Sequence, residues 1–167
     1  IKCLDIAHYL ANTKKIIGFV NAPVDKKIFN KKYLGVTEYL AHKNNVKNKE
    51  VMMIHNKKLS VVPLTTHLEI KNVTNKISFD LIKVKTLTIN KYYKKLFGKE
   101  PRIIVLGLNP HNSEDKINSI ESKIIAPSII NLQKLGINIR GPYPADTAFS
   151  NQKKLKYDLV IGMYHDQ

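Results

Sequence analysis

Cysteine occurs once in this chain, at Cys3, tryptophan is absent, and the arginines are Arg102 and Arg140 alone. One thiol excludes a disulfide framework and a thiolate metal cluster, and suits a reducing compartment. No apolar run approaches the ~18 uninterrupted residues of a membrane span, and no charged-then-apolar signal opens the chain. The expectation is a soluble, cytoplasmic protein with no membrane partner. Glycine-rich phosphate loops are missing as well. No GxGxxG follows a strand-like run and no GxxxxGK[ST] is present, so neither the classical dinucleotide fingerprint nor the P-loop is supported. Ser60 and Ser113 have no nucleophile-elbow context, which excludes the common serine-hydrolase pattern.

The scarcity of arginine also weighs on the charge. A formal net charge of +15 and a pI near 9.8 invite a nucleic-acid reading, because clustered cations along a phosphate track gain from counterion release. Groups that fork phosphates or read bases are typically arginines, whereas the lysines here are spread over nearly every segment. Lys, Asn and Ile are enriched together, as an AT-rich genome acting on exposed positions would produce. A solvated basic surface is the favoured reading over a nucleic-acid partner.

What is present is an α/β alternation. With 167 residues and 43% hydrophobic content, residues 1–167 are long enough for one α/β region with a real core. Ile1 to Asn12 has the spacing of an amphipathic helix. Ile16 to Val20 reads as a short strand buried on both faces, ending at Asn21 to Lys26. Thr37 is placed to cap a helix over TEYLAHK. Glu50 to Ile54 and Leu59 to Pro63 read as a hairpin around His55 to Lys58. One long helix is expected from Asn75 to Phe97, closed by Gly98. Arg102 to Leu106 is a buried-type strand, and a helix from Ile117 to Leu135 contains Pro127 as a kink or a new start. A strand near Ile137 to Arg140 and a last one over Tyr157 to Met163 complete the pattern. Largely parallel strands in such an alternation would bring polar clusters at Lys26, His67, His111 and His165 to one sheet edge.

Imidazoles and carboxylates converging from separate loops are ordinary ingredients of a divalent-metal site, since neutral His nitrogen and carboxylate oxygen suit zinc and related ions. His67 and His165 are the best candidates, with Asp146 and Asp166 near them as acid/base or supporting groups. Lys26 is a candidate anion contact, while His8 is read as structural. The last stretch, Gly141 to Gln167, delivers His165-Asp166 at the end of an apolar run, as active sites of α/β proteins commonly do. Its abrupt end, and the missing Met at Ile1, lead us to expect a piece of a longer chain.

The segments NAPVDKKIFN, GVTEYLA, VMMI, TTHLEIKNV, RIIVLGLNPH, IAPSI, GPYPADTAF and YDLVIGMYHDQ, taken in order, resemble the 4-hydroxythreonine-4-phosphate dehydrogenase family, over roughly the middle half of its sequence. That resemblance implies an isocitrate/isopropylmalate-dehydrogenase-like α/β/α sandwich. It implies a homodimer with its active site at the interface, NAD as hydride acceptor, and a divalent metal (zinc, magnesium or cobalt). The implied reaction oxidises a small phosphorylated hydroxy amino acid, with loss of carbon dioxide. Position by position, His67 and His165 match metal-binding histidines, Asp146 and Asp166 match acidic residues beside the metal, and Lys26 matches a catalytic-loop lysine. Asn109, His111 and Thr37 match substrate- or cofactor-binding positions. A third metal histidine is expected just before Thr37, in a Gly-His-Thr-Glu motif, and Val36 stands there. A second departure is NPHNSEDK in place of a glycine-richer Asn-Pro-His-Ala-Gly-Glu turn. These departures leave two alternatives open: a related dehydrogenase acting on another phosphorylated four-carbon hydroxy acid, and a paralogue without catalysis.

The nucleic-acid alternative makes its own demand. Retention on generic duplex DNA would have to fall steeply with salt; we expect no retention at moderate salt, measured by fluorescence anisotropy.

Overall fold

The computed structural model describes residues 1–30, 32–46, 49–113, 117–150 and 155–167. The chain folds as two compact units, Ile1–Glu50 and Val51–Gln167.

In the first unit, α1 (Lys2–Asn12) and α2 (Val36–Lys43) flank a 3-10 turn, Lys26–Phe29. Leu4, Phe29 and Tyr39 form its buried cluster, against which Phe19, Val24, Tyr33, Val36 and Leu40 pack. Ring centroids lie 5.5 Å apart for Phe29 and Tyr39 and 5.3 Å for Tyr33 and Tyr39, within the range where aromatic pairs attract. The Asp5 carboxylate accepts from the Tyr39 hydroxyl and pairs with Lys43 Nζ at 2.7 Å. Lys43, then Tyr39, hold its pKa below the usual carboxylate value. His8 is held between Asn12 and Asn44 side chains, a structural role.

Two expectations fail here. Ile16 to Val20 is not a strand, and Ile17 and Val20 are fully exposed. A doubly buried strand needs ladder partners for its peptide groups, and no strand occurs among the described residues of this unit. The cap of α2 is Gly35 rather than Thr37, which sits at the second helical position.

The second unit is built on a five-stranded sheet in the order β1-β2-β5-β3-β4. Strand β1 (Ile54–His55) pairs antiparallel with β2 (Ser60–Pro63), as the hairpin expectation required. Asn56 closes the turn, its side-chain oxygen accepting from Lys58 N at 2.8 Å and Leu59 N at 3.0 Å. The first strand is shorter than expected because Val51 and Met53 pack onto the core instead of extending the ladder. Strands β2, β5 (Leu159–Gly162), β3 (Ile103–Leu106) and β4 (Ile139–Tyr143) are mutually parallel. Successive side chains point to opposite faces. Val62, Ile103, Val105, Leu159 and Ile161 therefore enter one cluster, and Ile104, Leu106 and Val160 another.

Helices cover the first of these faces. The apolar spacing from Asn75 predicts one long helix; the structure has two, α3 (Ile70–Lys76) and α4 (Phe79–Phe97). Ser78 interrupts them in extended conformation and caps α4, its hydroxyl accepting from Leu81 N at 3.2 Å. Val73, Ile77, Ile82, Ile89 and Tyr93 then pack on the sheet, each fully buried aliphatic contributing about 1.5–3 kcal/mol. Gly98 closes α4 at φ 71°. A π-turn, Glu121–Ile125, runs directly into α5 (Ala126–Lys134). Pro127 stands in the first turn of α5, where the α-helix takes over from the π-turn. A four-residue helix, α6 (Ala145–Ala148), follows β4 on the other face.

The amino-terminal ends of β3 and β5 are joined by charge. Asp158 accepts from Arg102 Nε at 2.8 Å, Arg102 Nη2 at 3.0 Å, Arg102 N at 3.0 Å and Lys99 Nζ at 3.0 Å. Arg102 is the largest influence holding the Asp158 carboxyl far below its ordinary value of 3.8. Asp158→Asn should therefore lower stability by about 1.5–3 kcal/mol at neutral pH, the size expected for hydrogen bonds to a charged group. The native pKa is depressed, so this contribution is complete above the unfolded-state pKa and is lost as pH falls below it. Urea unfolding of both proteins should show a gap that closes on acidification.

Gly141 sets a second constraint. Its φ is 137°, and a β-carbon there would run into the Val105 carbonyl of β3, beside the break in β3–β4 register between Ile104 and Leu106. Gly141→Ala should cost about 1–3 kcal/mol, read as a lower Tm.

Candidate functional site

Parallel pairing of β2, β5, β3 and β4 places their carboxyl ends along one edge of the sheet. His67 follows β2, Asn109 and His111 follow β3, Asp146 follows β4, and His165 and Asp166 follow β5. Lys26, expected among these clusters, follows no strand and belongs to the first unit, at the start of the 3-10 turn. Its side chain lies outside the described residues, as do Glu114, Asp115 and Lys116 of the NPHNSEDK turn. Thr37 also belongs to the first unit.

At the end of β5, the backbone is secured before the exposed residues begin. Leu64 N donates to Gly162 O at 2.7 Å and Thr65 Oγ1 to Met163 O at 2.7 Å. Gln167 folds back, its Oε1 accepting from Met163 N and its Nε2 donating to Gly107 O, both at 2.6 Å. One side chain thereby ties the end of β5 to that of β3. His165 and Asp166 are left exposed, with His165 Nδ1 and Asp166 Oδ1 2.9 Å apart. In the tautomer that donates Nδ1–H to Asp166, Nε2 keeps the lone pair that a metal or a proton takes.

Around β3 the turn is equally defined. Glu121, only 3% exposed, accepts through Oε1 from Leu108 N at 2.9 Å, Asn109 N at 2.8 Å and Asn109 Nδ2 at 3.1 Å. Asn112 Nδ2 donates to Pro142 O at 3.0 Å, linking this turn to β4. His67, His111 and Asn112 adopt left-handed backbone, with φ of 53°, 50° and 54°. Such conformations are costly for non-glycine residues and persist where surrounding contacts impose them.

The edge fits a divalent metal in donor chemistry and falls short in number. Imidazole with a carboxylate behind it is a recurrent ligand arrangement. Among the described residues, however, no three His, Cys, Asp or Glu side chains gather to hold an ion. Val36, where a third imidazole was expected, packs with the apolar cluster of the first unit. The strand order offers a different source of an imidazole: His111 follows β3, the direct neighbour of β5.

Glu121 was not singled out from sequence, and Gln167 only as the end of the YHDQ run, with no role of its own. Glu121 had a visible signal, since it stands four residues from both Ile117 and Ile125, inside an apolar helical register where a carboxylate must find donors. Gln167 had none, because its role depends on the spacing of two strands distant in sequence.

The model of the family "Pyridoxal phosphate biosynthetic protein PdxA" matches residues 1–167. A 4-hydroxythreonine-4-phosphate dehydrogenase of Neisseria meningitidis serogroup A is 41% identical over 158 residues, covering 90% of this chain and 48% of its own. One from Sulfurihydrogenibium sp. is 37% identical over 159 residues, covering 92% and 48%. The chain thus spans about half the length of the curated relatives it matches. Among solved structures, the Klebsiella pneumoniae enzyme of that name superposes with TM-score 0.88 at 29% identity, over 99% of this chain and 52% of the other. The Burkholderia phymatum enzyme gives 0.80 at 36%, over 98% and 51%. A terephthalate 1,2-cis-dihydrodiol dehydrogenase from Burkholderia xenovorans, at 21% identity and TM-score 0.72, shares the fold alone. The α/β architecture is the isocitrate/isopropylmalate-dehydrogenase-like one expected from sequence, and over its whole length this chain belongs to the pyridoxal phosphate biosynthetic protein PdxA family.

Proposed function

We propose that the chain serves an NAD-dependent, divalent-metal-assisted dehydrogenase that oxidises 4-phosphooxy-L-threonine, with loss of carbon dioxide, to 3-amino-2-oxopropyl phosphate in vitamin B6 synthesis. The supporting observation is the single sheet edge at which His67, Asn109, His111, Asp146, His165 and Asp166 follow four adjacent parallel strands, in a chain matched throughout by one family. A bound divalent ion would act as a Lewis acid on the substrate alcohol, and NAD would accept hydride.

In this reading His67 and His165 contribute imidazole nitrogens toward the ion, and His111 is the third imidazole available on the same edge. Asp166 orients His165 through Nδ1. Asp146, in the first turn of α6, is read as a proton acceptor. Asn109 contributes polar contacts to substrate or cofactor. The site lies at a homodimer interface and the enzyme works in the cytoplasm. No helix among the described residues is long and apolar enough to cross a membrane.

A second reading draws on Val36. With an apolar, packed side chain where an imidazole was expected, the substrate would be another phosphorylated four-carbon hydroxy acid, or catalysis would be lost while ligand binding is kept. NADH formation measured across such acids distinguishes the three cases.

For the protein that contains this chain, we expect NADH formation from 4-phosphooxy-L-threonine to disappear on chelation and return with zinc, magnesium or cobalt. His67→Ala and His165→Ala should each lower turnover by at least about 100-fold with matching loss of bound metal. Turnover indifferent to chelation would remove the metal from the proposal. Folded protein inactive on every such acid would remove the dehydrogenase reading itself.

A further inference from the structure

Two successive peptide N–H groups that converge on one point form the arrangement by which turns bind anions. At the end of β3 those groups are Leu108 N and Asn109 N, and the anion is internal: Glu121 Oε1, at 2.9 and 2.8 Å. The Asn109 side chain adds its amide to both carboxylate oxygens, at 3.1 and 3.2 Å. Glu121 comes from the π-turn ahead of α5 and is almost wholly enclosed. Close approach is permitted by Gly107, where a β-carbon would lie 3.4 Å from Glu121 Cγ and would collide with the Asn112 amide.

We propose that Glu121 is a positioning residue of the active site. Its carboxylate occupies the turn as a built-in anion, fixes the path of the chain from Gly107 to Asn109, and so sets where Asn109 and His111 stand relative to His165. The turn is held from the other side by Gln167, through Gly107 O. Glu121 and Gln167 thus pin one short segment against the helical layer and against β5 respectively. A carboxylate is required because three donors converge on a single oxygen, more than a neutral amide carbonyl satisfies with equal strength. A second consequence follows from occupancy: these N–H groups are not offered to a substrate phosphate, which must be bound by other groups.

The proposal rests on the dehydrogenase reading for its effect on turnover, and the test separates the two. In the protein that contains this chain, Glu121→Ala should lower kcat about 100-fold, the cost of displacing reacting groups by about 1 Å, with a much smaller change in KM. Added formate, small enough to enter the vacated turn, should restore activity saturably, and should do nothing for the wild type. Glu121→Gln, isosteric and less prone to misfold, should lie between the two. Independently of activity, hydrogen exchange should accelerate at Leu108 and Asn109 in Glu121→Gln and stay unchanged at Val105 inside β3. A folded Glu121→Ala variant within about twofold of wild type would overturn the positioning role, as would unchanged exchange at Leu108 and Asn109. If the wild type forms no NADH from any phosphorylated hydroxy acid, the dehydrogenase reading fails, while the exchange measurement still decides whether Glu121 holds the turn.

Discussion

The burial of β5 between β2 and β3 is the constraint on which the second unit depends. Leu159, Val160, Ile161 and Gly162 are all enclosed, so their peptide groups have no water to fall back on and must pair on both sides. Parallel pairing with each neighbour meets that need. It also obliges three chain segments far apart in sequence to run in one direction, and their following loops to emerge together.

The two ends of this arrangement are stabilised by different chemistry. At the amino end, Asp158 binds the Arg102 guanidinium and backbone together, so the entry to β5 is joined to the entry to β3 by a charged clamp. At the carboxyl end the links are amides and one enclosed carboxylate: Gln167 to β3, Asn112 to β4, Glu121 to the turn between them. Ordered loops on a rigid scaffold are what precise placement of reacting groups demands. The exposed His165-Asp166 pair follows Met163, whose N–H and carbonyl are both bonded.

Much of the fold was legible because its signals are local. RIIVL and the last apolar run read as buried strands without alternation, Gly98 as a helix end, and the Asn56 turn as a hairpin. Failures came where a local signal needed a distant partner. Ile16 to Val20 has strand composition yet finds no strand to pair with among the described residues of its unit, and Ile17 and Val20 are exposed. The helix around Ile77 has continuous apolar spacing, yet Ser78 satisfies the amide of Leu81 and breaks it. Lys26 was grouped with the strand-end clusters only because the run before it was read as a strand.

Residue order by itself determined which side chains could do chemistry, since imidazoles and carboxylates following apolar runs are visible in one dimension, and it carried the motifs of the family. Only the tertiary structure decided which of them follow adjacent strands. Strand order in a parallel sheet is settled by burial of both faces rather than by sequence proximity, and it put β5 beside β2 and β3, so that His67, His111 and His165 share one edge. It also revealed Glu121 and Gln167, whose contacts to the turn after β3 span 12 and 60 residues and whose function exists only once those strands are side by side.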